Sequence, residues 1–210
     1  MLQSVVMQNV RAALAAGLLV LVPALSRAVE EAEYQVLQQD GAIELREYAP
    51  SIVAETVVDA GFEDAGNRAF RTLFRYIDGE NVAQQEIAMT APVSQSPAGR
   101  KIEMTSPVGQ RPSSGGWAVS FMMPSAFTMD TIPRPSDPAV QLRAIPDYRA
   151  AVIRYSGFWS EERYSEHLRE LRAWIAAQGL EPTGEPVWAR YDPPFKPWFM
   201  RRNEILVPVR

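Results

Sequence analysis

Residues Ser51–Gly79 read SIVAETVVDAGFEDAGNRAFRTLFRYIDG, and residues Tyr148–Gly179 read YRAAVIRYSGFWSEERYSEHLRELRAWIAAQG. Each stretch opens with a strand-like apolar run and passes through a Gly-Phe joint, Gly61-Phe62 or Gly157-Phe158. Each then continues with helical periodicity until a glycine closes it. In the first, Phe70, Leu73, Phe74 and Ile77 recur at the spacing of a buried helical stripe, and Gly79 is the expected C-cap. In the second, Tyr164, Leu168, Leu171 and Ile175 form the stripe. Ser160 is the expected N-cap, Glu161 and Glu162 complement the positive end, and Gly179 closes the helix. Two halves sharing one order of elements predict an α+β fold. Duplicated β-α-β-β units would form a distorted antiparallel β-barrel or sheet with two flanking helices, and a cleft between the halves would be the natural ligand site.

Working outward, Tyr34–Gln39 and Ile43–Tyr48 alternate around Asp40-Gly41, a strong hairpin signal. Between the halves one pattern is written twice: Ile87-Ala-Met-Thr-Ala-Pro-Val93 and Ile102-Glu-Met-Thr-Ser-Pro-Val108. The two copies are expected to pair as a second hairpin, with Ile87, Met89, Ile102 and Met104 on one side. After the Gly115-Gly116 turn, Trp117–Met123 reads as a strand. The segment Pro124–Pro146, with Ile132-Pro133-Arg134-Pro135, is too proline-rich for regular structure apart from a short strand Val140–Ile145. Val187–Tyr191 and Ile205–Val209 are the last expected strands, joined by the aromatic, proline-rich Asp192–Met200.

Residues 1–28 hold no acid, carry Arg11 ahead of the apolar run Ala12–Leu25, and end in Ser26-Arg27-Ala28. This is the pattern of a signal peptide cleaved after Ala28, which leaves residues 29–210 as one domain in a periplasmic or secreted setting. The run is shorter than the roughly 20 residues a membrane-spanning helix needs, so no stable anchor is expected after cleavage. The chain contains no cysteine, which excludes disulfides, thiol catalysis and cysteine-based covalent haem attachment. Removing Arg11 and Arg27 takes the net charge from −4 to −6, which argues against nucleic acid as a partner.

His167 is the only histidine, so any imidazole chemistry must use it. It sits at the edge of the second helix's stripe, where it either borders the core or serves as an axial ligand to a cofactor metal. Arg68, Arg71 and Arg75 share a flank of the first helix and form either a solvated face or anchors for an acidic ligand. Met89, Met104 and the other methionines are core filling or soft pocket lining. The Trp and Phe side chains at 117, 158, 159, 174, 188, 195, 198 and 199 fit stacking surfaces as well as an ordinary core. There is no Walker loop, Gly-x-Ser-x-Gly elbow, Gly-x-Gly-x-x-Gly or His-Glu-x-x-His, so no catalytic constellation is expected.

Tyr76-Ile77-x-Gly79-x-Asn81, Ile87–Val93, Ile132-Pro-x-Pro135, Tyr191-Asp-Pro-Pro194 and Arg202-Asn-Glu-Ile205, in that order between Tyr34 and Val209, resemble the SOUL haem-binding protein family. The resemblance implies non-covalent binding of haem or a related tetrapyrrole in a hydrophobic cleft, for capture, sequestration or transfer. By similarity, Arg68, Arg71 and Arg75 become candidates to meet the haem propionates, and Met89 and Met104 possible lining. His167 becomes a possible axial ligand, although no family motif transfers that role to it. Duplicated β-α-β-β units also resemble the gyrase-inhibitor-like effector-binding modules, which bind bulky, often cationic molecules or a protein partner. That alternative requires a buried carboxylate at the cleft, with Glu103, Glu185 and Glu204 as candidates.

Overall fold

A computed structural model describes residues 29–83 and 99–210. In chain order the elements are β1 (Tyr34–Asp40), β2 (Ile43–Tyr48), β3 (Ser51–Val58), α1 (Phe62–Asp78), β4 (Asn81–Val82), β5 (Val108–Ser113) and β6 (Gly116–Met122). They continue with β7 (Arg134–Pro135), β8 (Gln141–Ile145), β9 (Tyr148–Tyr155), α2 (Glu161–Ala177), β10 (Val187–Arg190), a 3-10 turn (Trp198–Met200) and β11 (Asn203–Val209). Gly41 lies at φ +59, the left-handed conformation that the tight β1–β2 turn demands.

Nine strands form one antiparallel sheet in the order β1-β2-β9-β11-β10-β5-β6-β3-β8. It stays open, ending at β1 and β8, rather than closing into a barrel. From β2 to β8 the order reads alike from both ends: β3-α1-β5-β6 and β9-α2-β10-β11 are matched around the central β5–β10 pair. The strand before each unit, β2 or β8, pairs with the opposite unit.

Both helices lie on one face of the sheet. Tyr164, Leu168, Leu171 and Ile175 of α2 pack on Ile43, Ile153, Trp188, Ile205 and Val207. Ala65, Ala69, Leu73, Tyr76 and Ile77 of α1 pack on Ala54, Val119, Phe121 and Met123. Each fully buried Leu contributes about 1.5–3 kcal/mol through removal from water. The opposite face carries its own apolar cluster of Tyr48, Ala150, Val152, Ala189 and Leu206.

Three expectations need correction. Leu73 and Ile77 of the α1 stripe are buried as expected, but the rest of the buried face is Phe62, Ala65, Gly66, Ala69 and Tyr76, while Phe70 and Phe74 stay 38% and 40% exposed. The second repeat copy is no strand: Ile102 is buried, Met104 is 42% exposed, and the chain is tied by separate bonds from Ile102 N to Ile77 O and from Thr105 Oγ1 to Met122 O. Ile102 and Met104 therefore do not share a face, and regular pairing begins at Val108 and runs through the unexpected strand β5. The first copy, with Met89, lies outside the described residues. Finally, Arg134-Pro135 of the proline-rich loop pairs with Asn81-Val82 as a small ladder of its own.

Candidate functional site

The two faces of the sheet present two different surfaces. On the helix-free face lies a cleft of about 520 Å³ spanning both halves, within the size range of small-molecule sites. Val53, Met122, Tyr148, Tyr191 and Leu206 line it, and Tyr48 stacks on Tyr148 with ring centroids 5.1 Å apart. Its charged wall is internally neutralised. Glu55 accepts from Arg111 at 2.7 Å and from Arg143 at 3.1 Å.

Beside the cleft, two chain ends meet in a buried ion network. Arg46 is 2% exposed and Glu204 fully buried, and the guanidinium donates to both carboxylate oxygens at 2.8 and 3.2 Å. Glu204 also accepts from Arg202 at 2.9 Å and from the Tyr191 hydroxyl at 2.9 Å, while Arg46 donates to Tyr48 at 3.0 Å and to Glu44 at 2.6 Å. Burial alone would raise the Glu204 carboxyl, but the bonds and charges of Arg46 and Arg202 hold it below the usual carboxylate range. Burial and the neighbouring Glu204 charge push Tyr191 well above the ordinary phenol value. Glu103 and Glu185 are exposed, Glu185 at the cleft's edge. Among the described residues, then, the only buried carboxylate, Glu204, is already committed.

The helix-covered face is left unsatisfied. Cross-strand register aligns Phe121, Val108, Arg190, Asn203 and Tyr155 in one row across five strands. Phe70 of α1 meets Phe121 edge-on at 5.4 Å and stacks with Phe74 at 5.8 Å. At the other end His167 of α2 stacks on Tyr155, with centroids 4.1 Å apart. Both ring nitrogens of His167 are buried without a hydrogen-bond partner, and Nδ1 lies 3.6 Å from Glu170. In the middle of the row Asn203 accepts from Trp159 Nε1 at 2.9 Å and donates to Gly157 O at 3.3 Å, which fixes the joint leading into α2. That joint carries an exposed aromatic cluster: Phe158 stacks on Trp198 at 5.0 Å, and Phe199 meets Trp198 edge-on.

The sequence profile of the SOUL heme-binding protein family matches residues 29–208, nearly the whole described chain. The chain belongs to the SOUL heme-binding protein family. The chain is also similar to heme-binding protein 1 of Xenopus tropicalis, 27% identical over 172 residues that cover 80% of this chain and 84% of the relative. Heme-binding protein 2 of Homo sapiens is 28% identical over 176 residues, covering 79% and 81%. The fold also matches the EcmrR C-terminal domain, with a TM-score of 0.57 at 14% identity over 84% of this chain and 98% of that one.

In this SOUL-family chain the residues singled out from the sequence do not converge on one point. Arg68, Arg71 and Arg75 are exposed on α1; Arg68 donates to Asp59 O, and Arg75 pairs with Glu80 and Asp137. Met104 is exposed on the segment that Ile102 ties to the C-terminal end of α1. His167 belongs to α2, at the far end of the cross-strand row. Phe70, Phe74 and Arg190 went unread as site residues. For Arg190 the sequence signal was a charged residue two places after Trp188, on the inward period of a strand.

Proposed function

We propose that this chain binds haem or a related tetrapyrrole non-covalently, for capture, sequestration or transfer, on the helix-covered face beside α1. The observation that carries this reading is the stacked, exposed Phe70–Phe74 pair on a helix that also presents Arg71 and Arg75. Two apolar rings left in water beside two guanidinium groups match a flat conjugated ring with carboxylates at one edge. Family membership and the similarity to heme-binding proteins 1 and 2 support the same ligand. Met104 would supply a soft apolar contact at the end of α1, and His167, at the far end of the cross-strand row from Phe121, would hold iron only in a ligand that reaches α2. When bound, haem supplies an iron centre; what the protein's own residues do is stack, pair with carboxylates and exclude water.

The test is a haemin titration followed by the Soret band, on the wild-type protein, a Phe70→Ser/Phe74→Ser variant, and a Val53→Trp variant that fills the opposite cleft. Saturable one-to-one binding that weakens by about tenfold or more in the double Phe variant, and is unchanged in Val53→Trp, supports the proposed face. The reverse pattern moves the ligand into the cleft. Binding no better than that of an unrelated control protein ends the haem reading. A shifted Soret maximum in His167→Ala identifies that residue as a ligand.

The leader-like residues 1–28 support export, with the bound form acting in the periplasm or outside the cell. Fusing residues 1–28 to a reporter that is active only after export tests this, and an inactive fusion counts against it. The matched strand order about β5–β10, together with the paired Gly-Phe joints, supports descent of the two halves from one duplicated unit.

A further inference from the structure

Arg190 is a guanidinium without a counterion. It leaves β10 on the helix side, half-buried, and among the described residues it makes neither an ion pair nor a hydrogen bond; its Nε is buried and unpartnered. Its neighbours are ring faces. The guanidinium carbon lies 4.9 Å from the centroid of Trp188 and 5.3 Å from that of Trp159. Above it, α1 carries Gly66, where an added β-carbon would run into the guanidinium, so the helix leaves just enough room for this side chain. Arg201, the other cation over Trp159, is committed, since it donates to the carbonyls of Lys196 and Pro194. Burial pushes Arg190 down to about 10, still far above neutrality, so it stays charged.

An unpaired half-buried cation calls for an anion, and the surroundings say which shape of anion fits. Gly66, Phe70 and Phe74 follow one another at four-residue steps along one strip of α1, so the exposed rings begin one turn from the contact with Arg190. Phe121, which Phe70 touches, is two strands from Arg190, about 10 Å away at ordinary strand spacing. On the other side Trp159 leads directly to the exposed Phe158–Trp198 stack. A small inorganic anion would leave all these rings unused. A flat apolar body carrying a carboxylate uses both.

We infer that Arg190, seated under Gly66 between Trp188 and Trp159, is the anchor for a carboxylate of the flat ligand that stacks on Phe70 and Phe74. The inference rests on the tetrapyrrole reading above and adds to it a residue that points from β10 rather than from the arginine flank of α1.

The experiment compares haemin with haemin dimethyl ester, whose carboxylates are masked, on the wild-type protein, Arg190→Met and Arg190→Lys. Arg190→Met is expected to weaken haemin by about tenfold or more and to leave the ester unchanged. On the wild-type protein the ester should bind about as weakly as haemin binds to Arg190→Met, and Arg190→Lys should recover part of the loss. Equal haemin binding by wild-type and Arg190→Met protein overturns the anchor while the haem reading stands. Equal losses for both ligands reduce Arg190 to a packing role and overturn the anchor as well. Absence of saturable haemin binding by the wild-type protein overturns both.

Discussion

Arg46 and Arg190 both rise from strands of the same sheet, on opposite faces, and they have been provided for in opposite ways. Arg46 meets Glu204 with two bonds, Glu44 with a third and Tyr48 with a fourth, and stacks over Tyr34 at 4.2 Å. Arg190 meets two indole faces and a glycine. A buried charge with every guanidinium nitrogen bonded is part of the framework; taking away a partner leaves a cost and no vacancy for a ligand. A half-buried charge with none satisfied costs stability in the free protein, and that cost falls when an anion arrives. The difference separates a face whose charges hold shape from the face proposed above to bind, a distinction that a cleft volume alone would not make.

The largest expected effect comes from breaking the satisfied side. Glu204→Gln keeps the shape but removes the buried carboxylate shared by Arg46 and Arg202, leaving them only the more exposed Glu44 and Glu31, and should lower stability by about 3–5 kcal/mol in urea unfolding. A loss below about 1 kcal/mol would show that the network is wetter than its burial implies. The same carboxylate sets an acid limit. Its pKa is depressed in the folded state, so its contribution is complete above the unfolded value of about 4.3 and disappears as pH falls through the folded value. The wild-type protein should therefore lose stability below about pH 4, and Glu204→Gln should show a flatter profile there.

Next in size is Gly66→Ala. In an ordinary helix this change gains nearly 1 kcal/mol of propensity, but here the new methyl occupies the place of the Arg190 guanidinium. Displacing that side chain or lifting α1 should give a net loss of about 1–3 kcal/mol in thermal or urea unfolding, together with weaker haemin binding. Added to an Arg190→Met background, the substitution should become much less harmful, a coupling that a double-mutant cycle measures directly.

Why the sequence revealed both helices but the full buried face of only one follows from the residues involved. The buried face of α2 is made of large residues, Tyr164, Leu168, Leu171 and Ile175, and Ser160 caps it through its hydroxyl at 3.4 Å from Arg163 N, so periodicity and cap agree. The buried face of α1 leans on Ala65, Gly66 and Ala69, which carry little hydrophobic signal, while Phe70 and Phe74 carry much and stay outside. The mistake in the stripe is thus informative, because the two rings that read as core are the exposed pair on which the proposed ligand would stack. Strand β5 went unread because Val-Gly-Gln-Arg-Pro-Ser offers only one large apolar residue and no alternation, yet each residue is paired across to β6. Arg46 and Glu204 stand 158 positions apart, so no local spacing announces that pair, and although Trp188 lies two places before Arg190, the contacts of Arg190 with Trp159 and Gly66 arise only through the fold.

Replacing the unsatisfied charge should act in the opposite direction from breaking the satisfied one. Arg190→Met removes a desolvated cation and leaves a flexible apolar chain between Trp188 and Trp159, so stability should hold or rise by up to about 1 kcal/mol. A loss of several kcal/mol would mean that the guanidinium is structural after all, held by the two ring faces.

The smallest effect is expected at Arg75, and it sharpens the comparison by exposure rather than by partner. Its contacts with Glu80 at 3.6 Å and Asp137 at 3.4 Å join side chains that are largely in solvent, so Arg75→Gln should change stability by less than about 0.5 kcal/mol. Its share in holding a ligand carboxylate should be similarly slight and screened by salt. The loss of haemin affinity in Arg75→Gln, about two- to threefold at about 0.05 M salt, should vanish at about 0.5 M, where the screening length is only a few ångströms. The loss in Arg190→Met should survive that change, because a guanidinium enclosed by two indoles and a helix is shielded from the ions that screen Arg75. Haemin titrations of both variants at the two salt concentrations distinguish an anchor from a bystander. Equal salt sensitivity would place Arg190 in solvent with Arg75 and remove the contrast between the two faces.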